Sequence, residues 1–186
     1  MKVFKTISAY VIAATLGVAG LGVAGLGMMG SAAVAQEAKE RADTLKATHG
    51  AWEVRCASEN CLIRQVAKNE QGTPVVEVNI LKLEEPRELE DGDNVVAIAI
   101  IVTPLNVILP SGVGIRVDDK NVAQMGFLVC TVVGCESRPP LRQSTIESFN
   151  AGGTLGLLTA VPTTDGPKVI KVDMSLTGFT AAFAEL

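Results

Sequence analysis

All four cysteines of the chain fall in two copies of one spacing, "CASENC" (Cys56 and Cys61) and "CTVVGC" (Cys130 and Cys135). Whether they are metal ligands, a redox centre or covalent staples constrains the fold more than any other feature. Two C-x4-C pairs lie within the loose spacing of four-thiolate zinc sites. They depart from the C-x-x-C spacing of catalytic dithiols. The compartment in which the chain works decides between these chemistries.

The chain opens MKVFKTISAYVIAATLGVAGLGVAGLGMMGSAAVAQE. Lys2 and Lys5 form a positive start, Ile7 to Met29 carry no charge, and Ala33 and Ala35 precede Gln36. This is the layout of a secretory signal peptide over residues 1–35, cut before Gln36. The apolar run is also long enough to span a bilayer, so a retained anchor is the competing reading. The alanine cleavage site and the lack of a positive flank after the run favour cleavage and leave no membrane span in the mature chain. Removing Lys2 and Lys5 from the 16 basic residues leaves 14 against 20 acidic ones, a net charge of −6. No broad basic face is available for nucleic acid or anionic lipid.

An exported chain meets an oxidising compartment, where thiols pair. Each cysteine pair also flanks a hairpin signal. "WEVRC" alternates Trp52, Val54 and Cys56 on one face with Glu53 and Arg55 on the other, the period of a half-buried strand. "CLIRQVA" resumes after the polar turn Ala57-Ser58-Glu59-Asn60, and "MGFLVC" runs into Thr131-Val132-Val133-Gly134. Cross-strand partners at such a turn lie about 5 Å apart, near the Cα separation of a disulfide. The expected bridges are Cys56–Cys61 and Cys130–Cys135, each worth about 2 kcal/mol because the loops are short.

The remainder reads as β structure. Strands are expected over 73–83, 94–103, 114–119, 153–161 and 168–176, with turn signals between them. In the last, Ile170, Val172, Met174 and Leu176 face inward while Lys171 and Asp173 face out. The nearly continuous apolar run 94–103 suggests burial on both faces. "RQSTIESFNAGG" (142–153) predicts a short helix closed by glycine, with Ser144 or Thr145 as cap. "TGFTAAFAEL" (177–186) predicts a terminal helix covering an open sheet edge. Trp52, Phe127, Phe149, Phe179 and Phe183 are the expected core anchors. Residues 36–48 are charged and read as a linker or frayed helix, leaving one domain over 49–186. Many short strands with regular turns point to an all-β antiparallel sandwich.

Few residues suggest chemistry. His49 is the sole histidine, so any Ser-His-Asp or Cys-His site must use it. Its simpler reading is an exposed loop residue. "EEPRELEDGD" (84–93) holds six acids without the ordered spacing of a calcium loop and reads as a solvated connection. Asp118 and Asp119 form either a general acid–base pair or a turn. No phosphate-binding glycine loop is present. No cofactor, metal or catalytic residue is assigned.

The order of "HGAWEVRC", the "C…GC" pair, "TPLNVILPSGVGIRVDD" and "SLTGFTAAFAEL" resembles the invasion-associated locus B family of exported alphaproteobacterial proteins. The resemblance runs from about residue 49 to the C-terminus. Members usually read Gly-Asp-Trp where this chain has Gly50-Ala51-Trp52, and Pro-Leu-Gly-Val where it has Asn106. The resemblance implies an immunoglobulin-like sandwich in the periplasm or at the cell surface, with a link to host-cell invasion in some members and no catalytic residues. Two functions follow. One is a non-enzymatic module that presents stapled loops or an edge strand to an envelope or host-surface protein. The other is a small periplasmic hydrolase or metal-dependent enzyme built on His49 with Asp118 or Asp119.

Overall fold

A computed structural model describes residues 43–186. The expected signal peptide over residues 1–35 and residues 36–42 lie outside the described residues. The fold is a two-layer antiparallel β-sandwich with an unequal division of strands.

The larger sheet runs β1 (Thr44–His49), β2 (Trp52–Ala57), β3 (Asn60–Lys68), β4 (Pro74–Glu88) and β5 (Asn94–Thr103) in sequence order. The free edge of β5 is then shared. β9 (Gly134–Ser137) pairs with residues 101–103 and carries β8 (Val129–Thr131), while β10 (Pro140–Arg142) pairs with residues 95–98. The smaller sheet orders β12 (Gly166–Ser175), β11 (Thr154–Thr163), β6 (Val113–Val117) and β7 (Lys120–Met125). Helix α1 (Gln143–Ala151) joins β10 to β11, and α2 (Phe179–Phe183) closes the chain.

The period-2 pattern of the sequence sets the register. Val54, Ile63, Ile80 and Ala99 pair directly across four neighbouring strands and are all buried. Opposite them, Val117 and Ile115 pair with Leu155 and Leu157. A slip of one residue in any of these strands turns its apolar set to solvent.

One end of the smaller sheet is plugged by aromatic rings. Phe179 sits edge-on to Trp52 (5.4 Å between centroids) and to Phe149 (5.2 Å). Trp52 and Phe179 are fully buried. The indole Nε1 of Trp52 donates to the carbonyl oxygen of Ser175 at 3.1 Å, and Gln65 Nε2 donates to the same oxygen at 3.0 Å. The last residue of the small sheet is thereby fixed to β2 and β3 of the large one. The neighbouring Ala51 N–H donates to Thr177 O at 3.0 Å. Gly50 turns at φ 56° against Thr177 O, where a Cβ would sit at 2.4 Å, so no other residue lets the β1–β2 turn approach so closely.

Several expectations are corrected. Residues 44–48 are not linker: β1 pairs with β2 from Thr44↔Cys56 to His49↔Trp52. The run 94–103 is buried on one face only. Val95, Ala97, Ala99, Ile101 and Thr103 are buried, and the residues between them are half-exposed, because among the described residues no second layer covers the outer side. Neither Ser144 nor Thr145 caps α1. Its N-cap is Arg142, with no side-chain capping bond, while Ser144 Oγ bonds Asp93 Oδ2 at 2.6 Å. The expected terminal helix does form, over five residues, and it rests against the edge strand β1 and against β2. The acidic segment is partly strand, since β4 continues to Glu88 through a register shift after Lys82. Asn106 takes φ 72°, a left-handed conformation that glycine adopts without cost and asparagine tolerates best among the rest.

Two outcomes are expected. Phe179→Ala removes a ring that touches three others, and chemical denaturation should show a loss of about 3–5 kcal/mol. Asn106→Gly relieves the positive φ and should leave stability equal or slightly raised, whereas Asn106→Val should lower it by about 1–3 kcal/mol.

Candidate partner-binding site

The two stapled hairpins form as expected, and they differ in what they expose. In both, the cysteines are direct cross-strand partners, Cys56↔Cys61 and Cys130↔Cys135, with Cα separations of 4.1 and 4.0 Å. The turns are tighter than expected. Ala57↔Asn60 and Thr131↔Gly134 are themselves paired, so each tip is two residues long. Ser58 carries the first turn at φ 56° and its tip is polar, Ser58-Glu59.

The second tip is Val132-Val133, and these side chains are 95 % and 81 % exposed. Leu128 (65 %) and Val129 (46 %), leading into the hairpin, are exposed as well. β8 is the outermost strand of the large sheet, so this is an apolar edge as well as an apolar tip. The base is rigidly seated. Gly134, at φ 149°, packs where a Cβ would lie 2.3 Å from Thr103 O. Thr103 Oγ1 donates to Cys135 O at 3.3 Å, and Leu128 N–H donates to Glu136 O at 2.7 Å. An ion pair between Glu136, the cross-strand partner of Val129, and Arg138 places charge at the base of the hairpin. Isolated exposed valines are ordinary, whereas four neighbouring exposed apolar residues at one stapled hairpin make it the candidate interaction surface among the described residues.

Sequence reasoning placed Thr131 to Gly134 in a turn but did not single out Val132 and Val133. The signal was available: a loop closed by a disulfide five residues apart cannot fold back far enough to bury its tip.

The candidate chemical residues are not brought together. His49 sits at the end of β1, half-buried rather than loop-exposed, and its Nε2 is bound to Glu185 Oε1. Lys46 Nζ lies 3.6 Å from the other oxygen of the same carboxylate. The hydrogen bond from His49, with the Lys46 charge beside it, holds the Glu185 carboxyl below its usual range. Asp118 and Asp119 form the two-residue β6–β7 turn, both at positive φ (45° and 74°), the geometry of a type I′ hairpin. The Asp118 carboxylate accepts from the Gly153 and Thr154 N–H groups, and Asp119 faces Lys171 at 3.7 Å. Asp91 pairs with Arg142, whose hydrogen bond lowers its pKa. Among the described residues, no group of three His, Cys, Asp or Glu side chains is placed to hold a metal ion. No helix among them is long and apolar enough to cross a membrane.

The Glu185 contact ties the C-terminus to β1 and gives stability a pH dependence. A carboxyl whose folded pKa is lowered contributes fully above its ordinary value of 4.5 and loses that contribution as pH falls from there through the lowered folded value. Glu185→Gln should therefore melt below the parent at about pH 6, with the difference shrinking steadily as pH falls below 4.5, measured by thermal unfolding across pH.

Comparison with known proteins agrees with this architecture. The family model described as "Invasion associated locus B (IalB) protein" matches residues 52–186. An invasion protein B homolog of Brucella abortus is 24 % identical over 141 residues, covering 76 % of this chain and 78 % of the relative. Invasion protein B of Bartonella bacilliformis is 23 % identical over 150 residues, covering 78 % and 76 %. The crystal structure of invasion associated protein B from Bartonella henselae superposes with a TM-score of 0.64 at 20 % identity, over 76 % of this chain and 95 % of that one. The match spans the first core strand, both stapled hairpins and the C-terminal helix, and the chain belongs to the invasion associated locus B family.

Proposed function

We propose that this protein is an exported, non-enzymatic envelope module that binds another protein through its stapled apolar hairpin. The observation that carries the reading is the exposure of Val132 and Val133 at 95 % and 81 % on a tip that a disulfide closes. A free apolar side chain costs nothing in a monomer but gains about 1.5 kcal/mol or more when a partner pocket covers it. The short ring and the seat on Thr103 fix the tip before binding, so little conformational entropy is lost on contact. The first stapled hairpin, with its polar Ser58-Glu59 tip, serves as an internal comparison.

The names of the Brucella and Bartonella relatives, an invasion protein B homolog and invasion protein B, support a role linked to invasion. The two disulfides support an oxidising location. The engagement of His49 by Glu185 and of Asp118 by backbone N–H groups favours a structural use of these residues over a catalytic one.

The reading is tested by saturable binding of the labelled protein to envelopes of the producing bacterium and to host-cell surfaces. Val132→Ser with Val133→Ser should weaken binding at least about tenfold with an unchanged melting temperature. Cys130→Ser with Cys135→Ser should weaken binding more than stability. A tip variant that binds like the parent contradicts the proposal.

A further inference from the structure

Beside the base of the stapled hairpin, a cavity of about 220 Å³ lies between β4–β5 of the large sheet and β6, β11 and β12 of the small one. Its walls include Val75, Val76, Val113, Leu157, Ile170 and Val172, with Pro104 exposed at the rim. It occupies the end of the small sheet away from the aromatic plug. Ile170 and Val172 line the cavity, whereas Met174 and Leu176, further along the chain, belong to the plugged core.

The lining dictates what can enter. Thr103 and Thr159 contribute its polar side chains, and both hydroxyl protons are committed. Thr103 Oγ1 donates to Cys135 O at 3.3 Å, and Thr159 Oγ1 donates to Gly112 O at 2.9 Å. β4, β5, β6 and β11 each have strand neighbours on both sides, and the free groups of the edge strand β12 lie in the plane of its sheet, so the slot between the sheets meets side chains only. A polypeptide laid in the slot would bring N–H and C=O groups that find no partner, whereas a hydrocarbon has none to satisfy. The volume exceeds the roughly 150 Å³ of an engineered apolar cavity that takes up benzene.

We propose that this slot binds the hydrocarbon tail of an amphiphile, a short acyl or alkyl chain whose headgroup stays outside at the Pro104 rim. The site is distinct from the Val132-Val133 tip and needs no partner protein, so either reading can fail without the other.

The test uses the purified, oxidised protein as recovered from the producing cell. Butyrate, hexanoate, octanoate and neutral n-octyl glucoside below its micelle concentration are titrated while methyl NMR shifts are followed. Affinity should rise about fourfold for each methylene that enters the slot. Octanoate and octyl glucoside, which share a chain but not a headgroup, should shift the same Val113, Leu157 and Ile170 methyls. Val172→Phe and, independently, Ile170→Phe place bulk in the slot from half-buried wall positions. At least one should fold normally and lower octanoate affinity at least about tenfold, while Val132→Ser with Val133→Ser leaves it unchanged. The proposal is overturned by the absence of binding, by affinity independent of chain length, or by binding of octanoate without octyl glucoside. Shifts confined to the hairpin tip, or full-strength binding by a folded slot-filled variant, overturn it equally.

Discussion

The architecture depends on one carbonyl oxygen. Ser175 O, at the end of the small sheet, receives the indole N–H of Trp52 and the amide of Gln65 from two strands of the large sheet. A buried indole or amide left without an acceptor costs about 1–3 kcal/mol, so the two sheets have a preferred relative position as well as a shared apolar layer. Phe179 then closes the end by packing edge-on to both Trp52 and Phe149. With a single tryptophan and five phenylalanines in the chain, four of the rings (Trp52, Phe149, Phe179 and Phe183) gather at one end, and the slot at the other is walled without aromatic side chains.

That unequal distribution has consequences for function. The plugged end carries His49, Lys46 and Glu185, whose mutual contacts tie the C-terminus to the edge strand. The aliphatic end carries the slot between the sheets and, directly beside it through the Thr103↔Cys135 pairing, the hairpin with the exposed valines. Each disulfide spans too short a loop to stabilise the whole fold by much. The effect of the second is local: it keeps two apolar residues in solvent on a strand edge that would otherwise be free to rearrange.

Much of this was legible in the sequence. The alternation in "WEVRC" and "KVIKVDMSL" gave the strands their inward faces, since a half-buried strand repeats every two residues. The cysteine pairing followed from spacing and compartment. What escaped depended on neighbours distant in the chain. β1 alternates only at Leu45 and Ala47, too short a signal to read, and pairs along its length with β2. Ser144 looked like a helix cap, but Asp93, 51 residues away, takes its hydroxyl. His49 read as a loop residue because Glu185, its partner, is 136 positions further on. The site itself was partly visible: the turn at Thr131 to Gly134 was recognised, but its chemistry lay in the two valines that so short a ring cannot bury.

The central claim is that the apolar stapled tip, and not its polar counterpart, meets the partner. The most direct measurement places a photo-crosslinking amino acid at position 132, or at position 58 on the other tip, and irradiates living cells. The account predicts a discrete covalent adduct from position 132 and none from position 58. Equal adducts from both tips, or none from position 132, would contradict it.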